Sequence, residues 1–297
     1  MTRPAFGEDD GTAWQRVAAE RERAARAATI AARHEVRLRE CSEPTREFHR
    51  RMATLHRDIE QRHQAAAKLH EVYAGRLRKW RELGLGAAAP AFMTAVAETT
   101  GSNSVVVTLF DSHRTEALVA VSDHLAETAH DLEATFGEGP MRDAVAQRRL
   151  VTVRDNAFER RWPLFGPAML QAGVHMIAAA PMGLTTECLG ALAVFHPEAN
   201  PRPTDVSLDT IAEALTHTIL SDPGTATGDG MFRLPLFGDA DHLPVVNQAA
   251  GVVAVEYGCD IPGALALIRA HAFTNGELIE VVAAKVLKGL RFGGAAE

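Results

Sequence analysis

The sequence predicts a multidomain α+β chain: long N-terminal coiled-coil helices, an antiparallel sheet flanked by helices, and a C-terminal bundle of three short helices. Three observations predict it. Apolar residues recur every three and four positions between residues 44 and 82, the spacing of a heptad seam. Between residues 104 and 195 the pattern changes to short β-branched and apolar runs bounded by Gly, Pro and Asp. Beyond a stretch rich in Gly, Thr and Asp at 221–230 the helical period returns. At 297 residues the chain can bury two modest cores with helix to spare.

The expected organisation is a disordered N-terminus at 1–11, long helices at 12–86, a sensor-sized α+β unit at 87–220, a linker at 221–242 and a helical module at 243–293. Pro44 suits the first turn of a helix and not its interior, so one helix should end near Cys41 and another begin near Pro44. On that second helix Phe48, Met52, Leu55, Ile59, Arg62, Ala66, Leu69, Tyr73, Arg76 and Trp80 form the seam. A helix of this length outruns a small domain, so a parallel homodimer through Phe48, Met52, Leu55, Ile59, Leu69, Tyr73 and Trp80 is the preferred reading, with packing on the first helix as the alternative. His49, His56, His63 and His70 recur every seventh residue and read as a flank of that seam. Neighbours in this series stand about 10 Å apart on one helix, too far to share a metal.

Gly84 and Gly86 should end the helix, and an Ala-rich helix to Thr100 follows, closed by Gly101. Strands are expected at 104–110, 116–121, 150–153, 174–181 and 189–195, the first two joined through Asp111-Ser112-His113-Arg114. A polar helix should run to Phe136, a short one should follow Gly137-Glu138-Gly139-Pro140, another should follow Arg161-Trp162-Pro163 and end at Gln171, and a last amphipathic one should cover 205–220. Gly258 and Asn275-Gly276 divide the C-terminal segment into helices at 243–257, 261–272 and 277–289.

The net charge of −7 is unevenly spread. Lys plus Arg against Asp plus Glu is 18 to 13 over residues 1–82, 9 to 20 over 83–242 and 4 to 5 over 243–297. Polyanion binding is therefore least expected in the middle. Cys41, Cys188 and Cys259 are far apart, which suggests neither a disulfide framework nor a Cys-x-x-Cys site. There is no secretory start and no 18-residue apolar run, so a soluble, cytoplasmic protein with no membrane contact is expected. The chain lacks a Gly-x-Ser-x-Gly elbow, a complete His-Glu-x-x-His and a phosphate loop, so catalysis is not expected and no cofactor is required.

Two resemblances sharpen this reading. Gly137-Glu138-Gly139-Pro140, Asp143-Ala144-Val145, Val153-Arg154-Asp155, Arg161-Trp162-Pro163, Gly173-Val174, Ala180-Pro181-Met182 and Leu189-Gly190-Ala191-Leu192 together resemble a GAF domain. The resemblance implies an antiparallel sheet with helices packed on it and room for a small ligand. Phe136, Trp162, His175 and Met176 are candidates to line such a pocket, and would serve equally as core.

Val246-Asn247-Gln248-Ala249-Ala250-Gly251-Val252-Val253, Tyr257-Gly258, Ala264 to Arg269, Thr274-Asn275 and Leu278 to Ala283 resemble an ANTAR domain, a three-helix RNA-binding module of antitermination regulators. The candidate RNA contacts are Gln248, Ala249, Gly251, Arg269, Lys285, Lys288 and Arg291. Small residues at Ala249 and Gly251 would let a phosphate backbone or a neighbouring helix approach. The family usually carries Lys at the position of Ala250, a basic residue at Glu256 and basic residues near Gly276-Glu277, and each missing cation removes a phosphate contact. Two functions follow: a ligand-gated regulator whose dimer presents two modules to paired RNA hairpins, or an interaction module that no longer binds RNA.

Overall fold

The computed structural model describes residues 10–40, 42–83, 89–110, 116–184, 187–221, 236–237 and 243–292, and statements of absence below refer to these residues. They form helices on a five-stranded antiparallel sheet, led by a long helical hairpin. The expected hairpin turn at 111–114, Gly84 and Gly86, and the 221–230 linker apart from Ser221 lie outside the described residues. Asp10 and Gly11, assigned to a disordered terminus, already belong to the first helix.

α1 (Asp10–Glu40) and α2 (Glu43–Glu82) run antiparallel, with Pro44 in the first turn of α2. Their contact corrects the expected seam. On α1 the buried residues are Ala13, Val17, Glu20, Ala24, Ala27 and Ala31, a strict 4-3 repeat of mostly small side chains. On α2 the matching repeat includes His49, Ala53, His56, His63, Ala67, His70, Ala74 and Leu77, most of it buried. The heptad histidines thus lie within the hairpin seam and not on its flank. His49 and His34 hydrogen-bond through their Nδ1 atoms at 2.8 Å, His56 stacks on His34, and His63 donates to Glu20 at 2.6 Å. Small side chains let two helices approach closely, so apart from Val17 and Leu77 the seam forms from alanines and polar residues.

The larger apolar residues of α2 face elsewhere and divide in two. Ala66, Leu69 and Tyr73 are buried in the core over the sheet, where Tyr73 meets Phe92 edge to face. Leu69 and Tyr73 are therefore not free to pair with a second copy. Phe48 and Leu55 are exposed, while Met52, Ile59 and Trp80 are half-buried.

The sheet has the order β2-β1-β5-β4-β3, comprising β1 (Ser104–Phe110), β2 (Glu116–Val121), β3 (Val151–Arg154), β4 (Met176–Gly183) and β5 (Cys188–His196). Val105, Val107, Leu192 and Val194 point to one face, covered by α2, α3 (Phe92–Thr100) and α8 (Leu208–Ser221). Val106, Ile177, Ala193 and Phe195 point to the other. That side carries α4 (His124–Phe136), α5 (Pro140–Gln147), α6 (Ala157–Arg161) and α7 (Phe165–Gln171). Both faces are buried, which is why β1, β4 and β5 read as continuous apolar runs with no polar alternation. The α6 turn was not expected from sequence. Nor was Phe237, which lies in the segment assigned to the linker yet is buried edge to face against Phe92.

Gly190 sits where β5 passes β1, and a Cβ there would stand 1.9 Å from the Thr108 carbonyl oxygen. The run 137–140 serves three helices at once. Gly137 closes α4 in the left-handed conformation, with φ 72°. The Glu138 carboxylate accepts from the backbone N–H groups of Leu164 and Phe165 at the start of α7. Gly139 leaves room for the Glu133 carboxylate, and Pro140 opens α5.

α9 (Pro244–Tyr257), α10 (Ile261–Asn275) and α11 (Ile279–Leu287) enclose a separate core of Val246, Ala249, Ala250, Val253, Leu265, Ile268, Val282 and Val286. No single described helix is long and apolar enough to cross a membrane.

Candidate functional site

Of the three C-terminal helices α10 and α11 pack on α4, and the seam between them and α4 holds the strongest concentration of buried charge in the described residues. Ala126, Ala129, His130, Glu133 and Ala134 form the inward stripe of α4, so the helical period itself places His130 and Glu133 inside, and Asp131 beside them is buried as well. His130 is 2% exposed. Its Nε2 lies 3.5 Å from Glu116 at the start of β2, and its Nδ1 lies 3.5 Å from Asp131. Arg269 of α10 reaches Glu116 at 3.9 Å, and Asp131 accepts from the backbone N–H of Glu280 at the start of α11 at 3.4 Å. Phe136 meets Phe273 of α10 edge to face at 6.2 Å.

The electrostatics follow from this geometry. Burial alone would deprotonate His130, but the Glu116 charge and the contacts to Asp131 outweigh it and hold the imidazolium well above its ordinary range. Glu116 is held well below the usual carboxylate range: burial opposes this, and His130 followed by Arg269 and Arg142 overcome it. Glu133 goes the other way. Burial pushes it up to about 7, although it accepts from the backbone N–H groups of Met141 and Arg142.

A cavity of about 190 Å³ opens at this seam. Glu116, Glu133, Arg142 and Met141 line it from the sheet unit, and Pro262, Leu265 and Arg269 from the C-terminal helices. Two carboxylates and two guanidiniums around a small space suit a compact polar or zwitterionic molecule, which would have to compete with the Arg269–Glu116 contact. A second cavity of about 310 Å³ lies beside α8, with Met176, Val194 and Ile211 as its apolar lining and Arg154, His196 and Arg202 among its polar groups.

The four expected pocket residues do not converge. Trp162 is core, 1% exposed, with its indole N–H donating to Asp143 at 3.2 Å. His175 lies on the surface, donating to Asp155 at 3.0 Å. Met176 lines the larger cavity, and Phe136 belongs to the helical contact described above.

The expected RNA contacts also separate. Ala249 is fully buried in the C-terminal core and cannot face a ligand; Val246, Ala249, Ala250 and Val253 are the i, i+3, i+4, i+7 stripe of α9. Gly251 is half-buried with open space where a Cβ would stand, and Gln248 is exposed. Of the cations, Arg269 meets Glu116, Lys285 donates to both oxygens of Glu277 at 2.6 Å, and Arg291 meets Glu256 at 2.5 Å. Lys288 is exposed. On the same three helices Val252, Val255, Leu267, Phe273, Val281 and Leu287 are exposed apolar side chains.

Sequence reading missed Glu116, His130 and Glu133. The signal available was a histidine and a glutamate on the alanine-rich stripe of α4, where apolar residues are the norm.

No family model matches the chain, and no curated protein does. Among solved structures it is similar to a domain described as that of a two-component sensor histidine kinase protein from Sinorhizobium meliloti 1021. The match has 18% identity and a TM-score of 0.34, covering 43% of this chain and 85% of that one. A similarity this low carries no argument about fold or function.

Proposed function

We propose that the chain is a signal-responsive, non-catalytic regulator of transcription antitermination, with a GAF-type sensor at 87–220 and an ANTAR-type RNA-binding module at 243–293. The observation that carries this reading is the way the C-terminal unit is held: it has its own core and meets the sheet unit through a charged contact with a cavity in it. A small effector whose cationic group pairs with Glu116 in that cavity displaces Arg269, frees this cation for RNA phosphate and loosens the module from α4. Exposed Phe48 and Leu55, with Met52 and Ile59 beside them, supply the homodimer contact that sets two modules on paired hairpin loops. Duplication raises apparent affinity where each module has few cations.

The test is an anisotropy titration of full-length protein against an RNA carrying two hairpins, at low and high salt. Wild-type protein should bind more weakly as salt rises, and Glu116→Gln should bind more tightly. Phe48→Glu combined with Leu55→Glu should sediment as a monomer and lose the preference for two hairpins over one. Absence of salt-sensitive binding by both wild type and Glu116→Gln sinks the RNA reading.

One specific observation favours a second reading, an interaction module without RNA recognition. The Lys285–Glu277 and Arg291–Glu256 pairs are internal to the module, so undocking does not release them, and the exposed apolar side chains of the same helices suit a protein surface. Ala250 is buried in the module's core and cannot present a cation, so the test uses the acidic partners: binding that appears only when basic residues replace Glu256 and Glu277 together would select it.

A further inference from the structure

Glu20, His63 and His217 come from three different helices, α1, α2 and α8, and one donor atom of each lies within 4.8 Å of the others. We infer that these three side chains form a site for a divalent d-block cation of the zinc class, joining the α1–α2 hairpin to the last helix of the sheet unit. Two imidazoles and one carboxylate are a donor set such cations accept, with a fourth position left for water or another ligand.

The geometry requires little movement. Bonds of about 2.0–2.2 Å in a tetrahedral centre place donors roughly 3.3 Å apart, so contraction from at most 4.8 Å is within rotamer adjustment. The 2.6 Å hydrogen bond from His63 to Glu20 would open slightly as the cation replaced its proton. His63 and His217 already meet edge to face, with ring centroids 4.8 Å apart. Glu20 and His63 are buried, which keeps competing water away, and His217 is half-buried, which leaves a route in. Arg23 donates to the other oxygen of Glu20 and Ser221 lies beside His217 Nδ1, partners of the kind that orient metal ligands. Arg23 and Arg62 repel a cation here, while the Glu20 carboxylate attracts it.

The heptad histidines explain why the site is invisible along one helix. His56, His63 and His70 cannot reach one another's metal, but folding brings helices α1 and α8 to His63.

The experiment uses full-length protein stripped with chelator and titrated with Co²⁺ as a visible probe. Saturation at one ion per chain is expected, with d–d bands of a nitrogen–oxygen centre, displacement of Co²⁺ by Zn²⁺, and a rise in melting temperature. His217→Ala, at the half-buried position, should weaken binding at least tenfold with unchanged circular dichroism, and Glu20→Gln should do the same. His34→Ala, in the separate histidine cluster at the other end of the hairpin, should bind normally. Folded wild type showing no saturable Co²⁺ binding overturns the inference. So does binding that survives in the His63→Ala/His217→Ala double variant.

Discussion

Replacing Glu116 by Gln tests the charged seam most directly. The substitution preserves shape and removes one charge facing His130 at 3.5 Å and Arg269 at 3.9 Å. At an effective dielectric of about 20, one such pair at 3.5 Å is worth up to roughly 5 kcal/mol before desolvation is subtracted. Removing one partner of a buried pair leaves the other uncompensated, at a cost of about 3–5 kcal/mol. The contact to Arg269, whose side chain is 32% exposed, contributes less, about 0.5–1 kcal/mol. The assay is urea unfolding of four proteins: wild type, Glu116→Gln, His130→Gln and the double variant. The double variant should cost less than the sum of the singles, by about 2–3 kcal/mol of coupling. The sign with pH is fixed. His130 is raised in the fold, so its contribution is complete below about pH 6.5 and fades as pH climbs toward its folded value. Glu116 is lowered, so its contribution is complete above its ordinary value and disappears in acid. Losses below about 1 kcal/mol in Glu116→Gln, or additive singles, would refute the reasoning.

Further outcomes follow from other parts of the molecule. Glu133 is raised to about 7, so its neutral form suits the fold: stability should decline as pH rises from its ordinary value near 4.5 through 7. Glu133→Gln should flatten that slope in thermal melts across this range. Gly190→Ala pushes a methyl into the Thr108 carbonyl at the centre of the sheet. It should cost several kcal/mol, at least about 3, or leave the protein insoluble, as judged by soluble yield and melting temperature.

The sheet was legible in sequence because each strand is a β-branched or alanine-rich run bounded by turn residues: SVVVTLF became β1 and EALVAV became β2 unchanged. The C-terminal helices were legible because Gly258 and Gly276 end α9 and α10 in the left-handed conformation. The hairpin was misphased for a physical reason. Pattern reading gives weight to large side chains, and here those on α2 either cover the sheet or face outward, while alanines and histidines make the close helix contact. Ala249 was misassigned by motif, although its own period on α9 places it inside. The charged seam needed three dimensions, because Glu116 and His130 meet only when β2 and α4 pack, and Arg269 joins them from the C-terminal unit.

The overhang of the helical hairpin has a mechanical meaning. No α2 residue before Ala65 belongs to the core over the sheet, so about twenty residues of the pair, roughly 30 Å, project as an arm. A tilt of about 5° at its root would swing the tip by roughly 2.6 Å over that 30 Å length. A strain too small to notice at α8 therefore becomes, at the tip of the arm, a displacement comparable to a side-chain contact.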